Sequence, residues 1–183
     1  MEKLKVKDLM VPVDKFTRIS SEATIYEGLA ALEKAQEKYM SGESEQRILL
    51  VEEKNGDILG KMSPIDLLSG LESKYKKVDY EDTLKHLGLR YIWTSMQKEY
   101  NLWGDPFTNL CRKASDVKIK DFIKSPSEGQ KVNSDDSIGK CLHLFIMTRH
   151  DSLFVYEAHN IIGLLRFSDV YRKASQAMKE CGF

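Results

Sequence analysis

Apolar positions along the first seventy residues change rhythm twice, and each change marks an element. Ile25, Leu29 and Leu32 recur at i, i+4 and i+7, the spacing of one face of a helix. Just ahead, Thr24-Ile25-Tyr26-Glu27 places a hydroxyl three residues before a Glu, the signature of a capping box at a helix start. A polar stretch, Tyr39-Met40-Ser41-Gly42-Glu43-Ser44-Glu45, separates this pattern from the strand-sized apolar run Ile48-Leu49-Leu50-Val51. Asn55-Gly56 then predicts a hairpin turn, and Ile58, Gly60 and Met62 a second strand leading into Ser63-Pro64-Ile65-Asp66. There Ser63 suits a helix N-cap, Pro64 the first helical position and Asp66 the third.

The same succession returns later in the chain. Lys5-Val6-Lys7-Asp8-Leu9-Met10 matches Lys118-Ile119-Lys120-Asp121-Phe122-Ile123, with 113 residues from Asp8 to Asp121. That spacing also pairs Ile19 with Val132, Ser21 with Ser134, Ile25 with Ile138, Leu29 with Leu142 and Leu32 with Phe145. It shortens to 104 at Leu50/Phe154 and to 103 at Gly60/Gly163 and Asp66/Asp169, because the first copy has the longer polar connection and the longer turn. Ser137 keeps the capping hydroxyl, while Lys140 replaces the Glu. Each copy reads as an extended lead-in, helix, strand, hairpin, strand and helix. A unit of about 60 residues with one exposed apolar sheet face is marginal alone, so the two are expected to bury that face against each other as one pseudo-twofold body. The division expected is a first repeat at 1–74, a helical insert at 75–116, a second repeat at 117–176 and a tail at 177–183. Within the insert, 81–100 reads as helical and Pro106 as opening a short helix toward Ala114. Its aromatics, Tyr91, Trp93, Tyr100, Trp103 and Phe107, either pack on the main body or form a surface for a partner or second subunit.

Composition narrows the function. Lys plus Arg and Asp plus Glu both number 28, giving zero formal net charge and a pI of about 6.9. Without a basic excess a nucleic acid is not an expected partner, although a single small anion is compatible with the balance. No apolar run approaches the ~20 residues that cross a bilayer, so no membrane partner is expected. Met1-Glu2-Lys3-Leu4-Lys5 opens in charge, without the apolar core of a signal peptide. Cys111, Cys141 and Cys181 are widely spaced and odd in number, and no histidine completes a metal-ligand spacing. Reduced thiols in the cytoplasm and no metal are expected. His86, His143, His150 and His159 form no nucleophile–base pattern, and neither a P-loop nor a dinucleotide Gly-rich loop is present. The chain therefore reads as non-enzymatic.

Candidate chemistry concentrates where each copy's last strand meets its helix, at Gly60-Lys61-Met62-Ser63-Pro64-Ile65-Asp66 and Gly163-Leu164-Leu165-Arg166-Phe167-Ser168-Asp169. Free backbone N–H groups at a helix start favour a phosphate, and a carboxylate one turn in can accept both hydroxyls of a ribose. Plain capping also accounts for Ser63 and Asp66. It explains the second copy less well, because Arg166 stands where Ser63 would and Arg is a phosphate ligand rather than an N-cap.

With these junctions, the two Lys-x-Lys-Asp lead-in motifs and the helix starts Thr24-Ile25 and Ser137-Ile138, the chain resembles tandem CBS (cystathionine-β-synthase) domain proteins, or Bateman modules, over 4–74 and 117–176. The resemblance implies an α/β (α+β) fold of two βαββα repeats packed as a pseudo-twofold pair. It implies a regulatory or sensor module that needs no cofactor and binds AMP, ADP, ATP or S-adenosylmethionine between the repeats. Ser63 and Asp66 would belong to one site and Asp169 to the other, with Arg166 departing from the usual Ser/Thr. Nucleotide-sensing members place a phosphate-binding Arg at the position matched by Arg149, whose first-copy counterpart is Glu45. Thr17, Arg18 and Ile19, with Lys131 and Val132, would lie near the adenine. Arg149, Arg18 and Lys131 read equally as solvated charges. One cleft is thus expected to bind a phosphorylated adenosine ligand more tightly than the other. The resemblance further implies a homodimer, and with no catalytic domain in the sequence a separate protein target. The alternative is an interaction scaffold with degenerate clefts.

Overall fold

The computed structural model of the chain describes residues 4–72, 95, 97–104 and 108–180. Two small sheets carry the repeat. The first has strand order β2-β3-β4, from Thr17–Ser20, Leu49–Glu52 and Ile58–Met62. The second has order β1-β7-β6-β5, from Val11–Pro12, Asn160–Arg166, Ser152–Glu157 and Lys131–Asn133. In each repeat a short strand pairs in parallel with the hairpin's first strand, Thr17 opposite Leu49 and Lys131 opposite Phe154. The helices are α1 (Ile25–Met40) and α2 (Pro64–Leu71), α3 (Leu110–Asp116), and α4 (Ile138–Thr148) and α5 (Phe167–Glu180). The repeat is therefore βαββα in both copies, as the sequence predicts. The last helix runs to Glu180, past the boundary expected at 176.

Local signals act where expected. The Thr24 hydroxyl accepts from the Glu27 amide at 3.3 Å, and the Glu27 carboxylate accepts from the Thr24 amide at 2.7 Å. In α4 the Ser137 hydroxyl caps the Lys140 amide, and Lys140 turns its ammonium to Asp136 at 2.7 Å. The buried stripe of α1 differs from expectation. Ile25, Gly28, Leu32 and Ala35 face the core while Leu29 is 42% exposed; Met62 packs closely against Gly28, where a Cβ would lie 3.0 Å from its terminal methyl.

The repeats interlock through their leading segments. Val6 is buried in the second repeat's core with Val132, Cys141, Phe145 and Leu153. Ile119 and Ile123 lie in the first repeat's core with Ile25, Leu32, Leu49 and Met62. Backbone bonds repeat the exchange: the Val6 amide donates to the Asp136 carbonyl at 3.0 Å and the Ile119 amide to that of Ala23 at 2.9 Å. A third cluster, Phe16, Leu50, Phe154 and Leu164, joins the two sheets. Gly60 and Gly163 recur because the partner repeat's backbone passes over each. A Cβ on Gly163 would lie 2.6 Å from the Val11 oxygen, and one on Gly60 2.9 Å from that of Lys124. Burial pushes the Cys141 thiol up to about 11, which suits an inert core residue.

Of the helix expected over 81–100, residues 95 and 97–99 are described and helical and Tyr100 is in a turn; the rest, with Tyr91, Trp93, Pro106 and Phe107, lies outside the described residues. The next described helix starts at Leu110. Trp103, Leu110 and Ala114 pack on the first repeat's core, the packing alternative for this part of the insert. Among the described residues no helix is long and apolar enough to cross a membrane, and no His, Cys, Asp or Glu cluster could hold a metal.

Candidate functional site

Both strand–helix junctions sit at the same end of the sheets and flank adjoining clefts. One cleft, of about 1070 Å³, is lined by Ser63, Pro64 and Ile65 at the start of α2, together with Leu29 and Leu68. The other, of about 840 Å³, is lined by Arg166, Phe167 and Ser168 at the start of α5 and by the chain ahead of β3, from Ser44 to Ile48. Arg47, Ile48 and Asp151 line both.

The two junctions share a layout and differ in charge. In the first, the Ser63 amide and hydroxyl both donate to Asp66 Oδ2, at 2.8 and 2.6 Å. This is a capping arrangement; Asp66 Oδ1 makes no hydrogen bond among the described residues. In the second, Arg166 grips Asp169 with two bonds, from Nε at 2.5 Å and Nη2 at 2.6 Å. Its outer edge meets the other repeat, Nη1 donating to the Glu45 carbonyl at 2.9 Å and Nη2 to the Glu45 carboxylate at 3.2 Å. Neither aspartate lines a cleft wall; each is bonded to the residue that does.

The other expected residues are more dispersed. Arg149 ends α4 in a left-handed conformation, φ 57°, and is exposed and outside both clefts. Thr17 and Ile19 lie on β2 and line neither cleft. Arg18 pairs with Glu52 at 2.7 Å and lines a third cleft of about 410 Å³ beside the two hairpin turns, with Tyr156 and His159. Lys131 is held by Glu128 at 2.7 Å and stands 5.9 Å from the Tyr156 ring centre. Val132 is 2% exposed and its side chain belongs to the core.

Sequence reasoning overlooked Arg47. It is exposed, packs over the Tyr39 ring at 5.9 Å and makes no ion pair among the described residues. It stands directly ahead of the run from Ile48, and its counterpart 104 residues on is Asp151, an acid, so repeat matching passed over it. Asp151 is itself tied across the repeats to Lys61, which also donates to the Ser152 hydroxyl at 2.6 Å. Burial pushes the Asp151 carboxyl up, but the Lys61 ammonium outweighs it and holds the acid below its ordinary value. Arg47 is thus a cation beside both clefts that forms no ion pair among the described residues, although Glu33, Glu37 and Asp151 share the wall of the first cleft with it.

Comparison with known proteins agrees with the fold. Residues 114–175 match the family model of the CBS domain. No curated protein matches the sequence. Among solved structures, the CBS-pair protein CBSX2 from Arabidopsis thaliana aligns over 97% of this chain and 98% of its own at 18% identity, with a TM-score of 0.58. CBSX2 in complex with AMP aligns over 95% and 98% at 20% identity and a TM-score of 0.53. A CBS domain-containing protein from Bacillus anthracis aligns over 94% of each chain at 17% identity and a TM-score of 0.59.

Proposed function

We propose, for a chain that carries a CBS domain at residues 114–175 within the fold of CBS-pair proteins, a regulatory role in which an adenine nucleotide binds between the repeats. The observation that carries this reading is that Ser63, at the start of α2, and the exposed Arg47 line the same cleft. A phosphate there would meet the amide end of a helix and a guanidinium together. Asp66 would hold Ser63 in place from behind the cleft wall, and Leu29, Ile65 and Leu68 offer apolar surface to a base. The AMP complex of CBSX2 supports the same ligand class; AMP, ADP, ATP and S-adenosylmethionine all carry the adenosyl group the cleft would read. In this reading residues 1–74 and 117–176 are the two repeats. The module works in the cytoplasm as a homodimer, without catalysis of its own, and passes its ligand state to a separate protein.

Calorimetric titration with the four ligands tests it. Binding of at least one, weakened in Ser63→Ala and Arg47→Ala, is expected. A folded protein that binds none of them at millimolar concentration would remove the proposal. The scaffold alternative draws on the second cleft, where Arg166, Asp169 and Glu45 satisfy one another without a ligand. It predicts partner capture that is indifferent to nucleotide.

A further inference from the structure

The Arg166 cleft already contains an anion supplied by the chain itself. Four of the guanidinium's five N–H donors are engaged, two by Asp169 and two by Glu45. These partners are unequal. Asp169 is 10% exposed and holds Arg166 through two parallel short bonds, whereas the Glu45 side chain is 74% exposed and makes one contact at 3.2 Å. A two-bond pair sheltered from water persists, while an exposed single contact is screened and readily exchanged. The arrangement has no counterpart in the first repeat, where Ser63 replaces Arg166 and Arg149, the match of Glu45, lies outside both clefts.

We propose that Glu45 is a built-in competitor for Arg166, so that a phosphate-bearing ligand enters this cleft only by displacing it. The inference rests on the nucleotide reading above and assigns Glu45 the part of setting the cleft's charge selectivity. With Glu45 in place the cleft wall carries Arg47, Arg166 and Arg172 against Glu45 and Asp151. Asp151 is occupied by Lys61 and Asp169 by Arg166 and Arg172, so removing Glu45 leaves the wall one charge more cationic. A neutral nucleoside has no phosphate to exchange for Glu45 and gains nothing from its loss. Displacement would also release the segment that carries Arg47, two residues on, which borders the neighbouring cleft.

The test is calorimetry of AMP and adenosine against wild type, Glu45→Gln, Glu45→Ala and a control, Glu43→Gln, which removes the same charge from the same loop outside the cleft. The two Glu45 variants should bind AMP about tenfold more tightly at one site, a gain that shrinks in high salt. Their adenosine affinity and the AMP affinity of Glu43→Gln should stay at the wild-type value. If wild type binds AMP but the Glu45 variants bind it no better, or Glu43→Gln gains as much, the competitor role is wrong while the nucleotide reading stands. If no variant binds AMP, the nucleotide reading falls and this inference with it.

Discussion

Val6 and Ile119 occupy each other's repeat: both are fully buried, Val6 in the core of the second copy and Ile119 in that of the first. The exchange is near-symmetric, since the amide of each donates to a carbonyl in the other repeat, at Asp136 and Ala23.

It follows that damage at one lead-in should be felt in the other half. Ile119→Ala removes three buried carbons and should cost about 2–5 kcal/mol, with Val6→Ala costing less because it removes two. Hydrogen exchange should rise first at Leu49–Glu52 for the Ile119 variant and at Ser152–Glu157 for the Val6 variant. Loosening confined to the variant's own repeat would contradict the exchange.

Each lead-in is also clasped by charge. Glu22 receives Lys118 and Lys120 at 2.8 Å, and Asp135 receives Lys5 and Lys7 at 2.9 Å. Hydrogen bonds from these ammonium groups lower Glu22 from 4.5 to about 2 and Asp135 from 3.8 to about 2. A carboxylate lowered on folding stabilises the native state fully above its unfolded value and loses that contribution as pH falls toward the folded one. Wild type should therefore lose stability between about pH 4.5 and pH 2, as read by urea midpoints. Glu22→Gln/Asp135→Asn should lose less across that range, and the pairs, being exposed, should matter less in high salt.

Gly163 tests the close crossing of β1 over β7. Gly163→Ala would drive a methyl to 2.6 Å from the Val11 oxygen, against backbone that cannot turn aside, and should cost about 1–3 kcal/mol. Gly139→Ala, whose new methyl would meet only the Ser137 hydroxyl at 3.9 Å, should be neutral or stabilising in a helix. Thermal unfolding of the two variants gives the comparison.

Arg47 offers a separate check on the binding site. Its replacement by Ala should weaken AMP about tenfold or more through loss of a charge-assisted contact and leave adenosine nearly unchanged. Because Arg47 is exposed and outside the buried core, its stability should not move. Equal losses for AMP and adenosine would place the phosphate elsewhere.

The repeat was legible because apolar spacing and turn chemistry are local, and both survive in two copies at nearly constant separation. The exchange of Val6 and Ile119 was not legible, since periodicity says that a residue is buried and not against which partner. Leu29 illustrates the same limit: the helical rhythm includes it, but the buried stripe runs through Gly28, against which Met62 packs, and leaves Leu29 at the cleft. The place of Ser63 and Arg166 at the strand–helix junctions was legible because the change from strand to helix is written in the local spacing. Arg47 escaped because the copies diverge there, and Arg149, matched by position, falls at a helix end instead. That Arg166 is already held by Asp169 and Glu45 depends on a loop from the other repeat, which no spacing within one copy encodes.

The crossing of the two lead-ins has a consequence for how the molecule is made. As the first half leaves the ribosome, Ile25, Leu32 and Leu49 still lack the cover that Ile119 and Ile123 will bring. The first half cannot close until Ile123 has been made, about two thirds of the way along the sequence, so assembly should be late. By the same logic, two newly made chains that trade these segments would form a tangled pair satisfying every contact of the single molecule.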